Sequence, residues 1–156
     1  MAGDMFAGAM LDLYPHHLDG TIAAIRLAGV DNEIGLEYQS FTDGILSGRK
    51  FDVIIPEQPP GHDHVHWSSL KRRLEQSELP AAVRSRAIAI FTELAIAEAT
   101  VHQKSVEEVS FHEVGAWDSI ADIVAAAHLI EAQVPSTWSI GAIPIGNGRV
   151  NTQHGL

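Results

Sequence analysis

The chain has no cysteine, which removes disulfides, thiolate metal ligands and cysteine nucleophiles together. That absence suits a cytoplasmic protein. No apolar run approaches the ~20 residues needed to span a bilayer, and the start lacks a basic-then-apolar leader. No membrane partner is therefore expected. Basic residues are scarce: 10 Lys and Arg stand against 20 Asp and Glu, for a formal net charge of -10. Such a field repels phosphate backbones, so no nucleic-acid partner is expected either. Gly-x-Ser-x-Gly and Lys-centred motifs are also missing, which leaves nucleophilic acyl transfer without support.

What is present fits one folded domain over 1–156. Hydrophobic residues make up 46% and charged residues 19%, a globular rather than a disordered balance. Nine histidines in an acidic, cysteine-free chain favour a metal with nitrogen and oxygen ligands.

Periodicity divides the chain into elements. Phe6, Ala9, Met10 and Leu13 recur at helical spacing until Pro15, and Gly3-Asp4 stands at the start, where a carboxylate can accept exposed amides. A second helix is read over 18–28, with Gly29 as its C-terminal cap. "GLEYQSF" (35–41) and "KFDVIIP" (50–56) alternate as strands around the turn chemistry of "TDGILSG". After a Pro- and Gly-rich loop, Ser68 or Ser69 is expected to cap a short helix to about Gln76. Pro80 opens the longest helix, to about His102, with Val83, Ala87, Ile90, Leu94, Ala97 and Val101 as its buried stripe. A short strand in "EVSFHEV" precedes a helix over 118–133, whose stripe is Ile120, Ile123, Val124, Ala127 and Ile130. "TWSIGAIPI" (137–145) reads as a strand ahead of a "GNG" turn. The class is α/β, with α+β the other arrangement that fits: a small mixed sheet and four to five helices. Both ends stop without closing elements, so flanking structure is expected on each side.

Four constellations can carry chemistry. The first is His62-Asp63-His64-Val65-His66. Imidazoles bind divalent transition metals well, but alternate side chains on a flat strand stand roughly 6–7 Å apart, so this loop must curl to chelate. A solvated polar loop is the plain alternative. The second is "FHEVGAWDSIADIV" (111–124). Asp118 and Asp122, four apart, share one helix face, while Asp118 as N-cap or Ser119 and Asp122 as a capping box explain the same residues without chemistry. His112 and Glu113 alternate across a strand, so one of the two can point where those carboxylates do. The third is Glu98 and His102, whose i, i+4 spacing can seat a metal or a proton-transfer pair, or merely complement the helix dipole. The fourth is "PIGNGRVNTQHGL". There the backbone at Gly146 and Gly148 and the side chain of Arg149 could hold a phosphate, although a hairpin turn is the default.

Taken together, "AGDMFAGAMLDL", "GRKFDVIIPE", "HDHVHWSSL", "AIFTELAIAEATVHQKSVEEVSFHEVGAWDSIADIVAA" and "IPIGNGRVNTQHGL" stand in the order and spacing of the LarC nickel insertion proteins. The chain resembles the N-terminal domain of that family over essentially its whole length. The resemblance implies a CTP-dependent nickel chelatase, a lyase, acting on the pyridinium-3,5-bisthiocarboxylic acid mononucleotide that serves lactate racemase and related enzymes. It implies nickel as metal, Mn or Mg with CTP, and the nickel-pincer nucleotide precursor as partner. A homo-oligomer is compatible with it. A leading strand before "GDMF" and a C-terminal domain after "HGL" are implied outside this chain, and Trp117 stands where the family usually has a smaller residue. Asp4, His64, His66, Glu98, His102, His112, Glu113, Asp118, Asp122 and His154 match the family's recurrent motifs. His62 extends the histidine-rich loop, and His62, His64, His66, Glu98 and His102 are expected to take metal. Asp4, His112, Glu113, Asp118 and Asp122 are expected to line the reaction site, and Gly146, Gly148 and His154 to contact cofactor or nucleotide phosphate. A metal-dependent nucleotide hydrolase and a non-catalytic metal-binding domain are the rival readings.

Overall fold

The spacing of Ala7, Met10 and Leu11 makes one buried stripe on helix α1 (Gly3–Leu13) in the computed structural model, which describes residues 3–56, 65–111 and 117–142. Pro15 stops the helix, as its fixed φ and missing amide require, and starts a single 3-10 turn, Pro15–His17. Helix α2 (Leu18–Leu27) follows directly and buries Thr21, Ala24 and Ile25.

Strands β1 (Gly35–Thr42) and β2 (Ser47–Ile54) form an antiparallel hairpin in which Tyr38 lies opposite Phe51 and Leu36 opposite Val53. The carboxylate of Asp43 closes the turn by accepting the amides of Ile45 (2.8 Å) and Leu46 (2.7 Å). This tight closure lets the ladder run back to Ser47, so β2 begins earlier than its alternation alone predicts.

A second ladder joins β3 (Val65–His66) to β4 (Ser110–Phe111), with Val65 and Phe111 buried as one pair and His66 opposite Ser110 as the other. Helix α3 (Trp67–Gln76) starts at Trp67, ahead of both predicted serine caps. The reason is tertiary. The Trp67 amide donates to the Val109 carbonyl at 3.0 Å, and its indole is buried beside Phe91 and Phe111, so the first turn is tied down without a hydroxyl.

Helix α4 (Ala81–His102) follows Pro80 as expected, but its buried stripe differs from the predicted one. Val83, Ala87, Phe91, Ala95 and Ala99 face inward; Ile90 and Leu94 are partly buried, Ala97 is exposed and Val101 is 76% exposed. Apolar residues ring this helix, so periodicity does not pick a face. Packing against α5 (Trp117–Glu131) does, because alanines allow the two axes to approach closely. On α5, Ile120, Val124 and Ala127 are buried as predicted, joined by Trp117, Ala121, Ala125 and Leu129, while Ile123 and Ile130 are partly buried.

The α/β class with five α-helices holds, and among the described residues its strands make two antiparallel two-stranded ladders. α5 is the central element: α1, α2 and α4 all pack on it, and α1 also lies against β2. Residues 137–142 form no strand, contrary to their alternation; no strand among the described residues pairs with them, and Ile140 is 81% exposed. Trp138 rests near Phe6 instead, with ring centres 6.1 Å apart.

Candidate functional site

The packing of α1, β2 and α5 brings the sequence-predicted carboxylates together. Asp4 on α1, Asp118 and Asp122 on α5, and Asp52 on β2 line one cleft of about 280 Å³, with Phe51 and Val53 as its apolar wall. α1 meets α5 at Gly3. A Cβ on Gly3 would stand 2.5 Å from the Cβ of Asp122 and 2.9 Å from its Oδ2, so only glycine lets the helix start approach this closely. Asp4 itself accepts the amide of Met5 at 2.7 Å, the dipole-compatible use of a carboxylate in a first turn.

Asp122 is the unusual group. Its Oδ1 is buried and has no hydrogen-bond partner. Burial is the largest cause that pushes its pKa up to about 6; the negative charge of Asp4 adds to the rise, the Asp4 backbone amide opposes it, and Asp118 adds a little more. Asp52 is driven the other way. A hydrogen-bonded ion pair with Lys50 (2.5 Å) holds its carboxyl below the usual range against partial burial, helped by the Gln39 amide at 3.1 Å, and Lys50 is raised in return. One cleft thus holds a carboxyl that exchanges its proton near neutral pH and another that stays charged. Such a set makes an acidic cleft that can take up or release a proton near neutral pH.

The predicted capping roles on α5 are not those observed. The helix already begins at Trp117, so Asp118 and Ser119 lie inside the first turn, and a capping box opening at Ser119 is ruled out. Asp118 Oδ1 accepts the adjacent Ser119 amide at 2.7 Å. Asp122 is turned toward α1 rather than back along its own helix, because Gly3 leaves room for it there.

A second, smaller cleft of about 30 Å³ lies between α4 and β4. Glu98 and His102 meet in it at 3.2 Å, with Lys104, Val109 and Ser110 around them. His66 is the ladder partner of Ser110, so the exposed end of the predicted histidine loop lies on the strand next to this pair. Among the described residues, no group of three or more His, Asp or Glu is close enough to hold a metal ion. His62, His64, His112, Glu113, Gly146, Gly148 and His154 lie outside the described residues. Asp52 is the site residue that sequence reasoning missed. Its signal was a lone charge inside the apolar run "KFDVIIP", which strand alternation absorbed without remark.

No helix among the described residues is long and apolar enough to cross a membrane. The family model for the nickel insertion protein matches residues 1–156. Pyridinium-3,5-bisthiocarboxylic acid mononucleotide nickel insertion proteins are similar to the chain in three bacteria. The Geobacillus kaustophilus protein is 36% identical, across 100% of this chain and 39% of its own length. The protein of Akkermansia muciniphila is also 36% identical, across 99% and 39%. That of Desulfitobacterium hafniense is 35% identical, across 100% and 38%. The chain therefore spans about two fifths of the length of these relatives. No solved structure gives a significant match.

Proposed function

The chain belongs to the nickel insertion protein family, and from that premise we propose that it serves nickel insertion into a pyridinium-3,5-bisthiocarboxylic acid mononucleotide. The observation that carries this reading is the convergence of Asp4, Asp118 and Asp122, from two helices distant in sequence, on one cleft. Nickel is cargo here, to be held and then surrendered. A hand-over site needs oxygen and imidazole donors that bind a divalent ion without enclosing it. An open carboxylate cleft with one exchangeable proton, in a chain of net charge -10, suits that demand.

In this reading His62, His64 and His66, together with Glu98 and His102, are the residues that capture the metal. Asp4, Asp118, Asp122, His112 and Glu113 line the place of transfer, and Asp52 with Lys50 sets its charge. The reaction is CTP-dependent, as a lyase-type chelatase step in the cytoplasm. Mg or Mn would accompany the nucleotide and supply charge neutralisation, Gly146, Gly148 and His154 are the residues that would hold phosphate, and lactate racemase-type enzymes would receive the product. The chain folds as one domain of a longer, self-associating protein.

The test is an insertion assay with purified precursor, nickel, CTP and Mg, followed by the nickel content of the recovered nucleotide. Nickel appearing in the nucleotide only when the chain is present supports the reading. Hydrolysis of many nucleotides without precursor would instead identify a metal-dependent hydrolase. Stoichiometric nickel binding with no turnover would identify a metal-binding domain.

A further inference from the structure

Helix α1 is apolar on nearly every side, yet only part of it is covered. Its charged residues are Asp4 and Asp12. Asp4 lines the carboxylate cleft, and Asp12 lies 4.0 Å from Arg49 Nε of β2. Ala7, Gly8, Met10 and Leu11 are buried where the helix packs on β2 and α5. The opposite side carries Met5, Ala9 and Leu13, all exposed, with Phe6 partly buried beside them. Met5 is 62% exposed and Leu13 66%. A helix facing water on one side carries polar residues there, and one that is apolar all round is normally enclosed all round.

The patch continues beyond the helix. Trp138 lies with its ring centre 6.1 Å from that of Phe6 and remains 48% exposed, and the still more exposed Ile140 follows two residues on. Met5, Ala9, Leu13, Trp138 and Ile140 together expose on the order of 500 Å² of apolar surface. That is large for a monomer and more than half of the ~800 Å² that one partner gives to a standard interface.

Pattern and charge both specify what covers it. Met5, Ala9 and Leu13 stand four residues apart, with the small residue in the middle. Such an i, i+4 row is the ridge used in the commonest class of helix packing, and alanine at the crossing lets two axes close. A second α1 running antiparallel, about a two-fold axis at Ala9, meets the same pattern from its own side. Met5 then faces the partner's Leu13, and Leu13 the partner's Met5. The ridge also carries no charge. Two copies of a chain of net charge -10 repel through most of their surfaces, so an uncharged face is one they can share without opposing carboxylates.

We propose that a second copy of this chain covers this face, with α1 packed on antiparallel α1 at Ala9 and Trp138 at the rim. The proposal gives a surface to the self-association proposed above and does not depend on nickel. A dimer that inserts no nickel leaves it standing, and a monomer that inserts nickel removes it alone.

The experiment is sedimentation equilibrium of the whole chain over a range of concentrations, with thermal melting alongside. The native chain should dimerise with a micromolar Kd, and added salt should tighten the dimer by screening the repulsion between copies. Met5→Lys and Leu13→Glu change exposed side chains, so each should keep the melting temperature while weakening the dimer at least about tenfold. Both changes in one chain should restore it, because the antiparallel contact then sets opposite charges against each other. A parallel contact would set like charges together and restore nothing. Ala9→Cys adds a single thiol to a cysteine-free chain, so any disulfide it forms joins two copies. Mild oxidation should link it into covalent dimers and leave Ala97→Cys, exposed on α4, monomeric. A native chain that stays monomeric at every concentration overturns the proposal and leaves the face to another segment or partner. A dimer indifferent to both single substitutions overturns it too, as does a double variant that stays weak. If the charged variants fail to fold, the cysteine pair decides: equal linking at positions 9 and 97 rejects the contact.

Discussion

Asp122 shows how one residue can be at odds with its own fold. Its folded pKa, about 6, lies above that of an unfolded aspartate, so the folded chain binds a proton that the unfolded chain releases between those two values. Stability contributed by this group is therefore present at low pH and lost as pH rises from about 4 to about 6. Asp122→Asn removes that loss. Urea unfolding at pH 7.5 should find the variant more stable by roughly 1–2 kcal/mol, after solvent screening at this partly buried carboxyl is discounted. A variant equal to or less stable than the native chain would mean that the carboxylate is compensated in some other way. Gly3→Ala tests the same spot by volume. Its new methyl falls on the Asp122 Cβ, and overpacking there should cost about 1–3 kcal/mol and move the start of α1 away from the cleft. Asp122 was legible in sequence as a carboxylate four residues from Asp118, but its burial was not, since burial depends on a glycine more than a hundred positions away.

At the scale of elements, the faces that helices present are decided by their neighbours. On α4 the prediction and the structure disagree about Val101 and Ala95, and the disagreement can be measured. Val101→Ala should change stability by less than about 0.5 kcal/mol, whereas Ala95→Leu should destabilise by about 1–3 kcal/mol, because one side chain is exposed and the other has no room to grow. Equal effects would restore the face that periodicity suggested. The junction of the 3-10 turn with α5 makes a second prediction. His17 and His128 approach with ring centres 6.5 Å apart, and the Gln133 amide reaches His17 Nε2 at 3.1 Å. Burial lowers the pKa of both; the charge of His16 adds to the effect on His17, and that of His17 to the effect on His128. A histidine whose folded pKa is depressed contributes stability that is complete above its unfolded pKa, about 6.5, and fades as pH falls through the folded value. Acid titration of unfolding should show this limb, and His128→Gln should flatten it. An unchanged acid limb in that variant would place the sensitivity elsewhere.

For the molecule as a whole, the acidic charge and the carboxylate cleft point to the same outcome. A cation bound by the folded chain alone stabilises it by mass action, about 2.7 kcal/mol at a hundredfold excess over Kd. Nickel should raise the melting temperature of the native chain in a concentration-dependent way. The shift should shrink in Asp118→Asn and Asp122→Asn, and capture should be lost when His62, His64 and His66 are all alanine. A melting temperature indifferent to nickel would argue against any site confined to the folded state.

Local signals in the sequence determined where most elements lie: Pro15 and Pro80 bound helices, "TDGILSG" turns the hairpin, and long-range order in the motifs carries the family. They also named Asp118, Asp122, Glu98 and His102 as the groups to watch, and the family resemblance added Asp4. Which of these meet was decided only by the tertiary structure. α5 serves as the common packing surface for α1, α2 and α4, and that arrangement brings Asp4 to Asp118 and Asp122, recruits Asp52 from a strand, and buries the carboxyl of Asp122. Spacing along a chain sets neighbours within one turn or one strand, whereas burial and charge coupling arise between elements, and those are what tune the groups in the cleft.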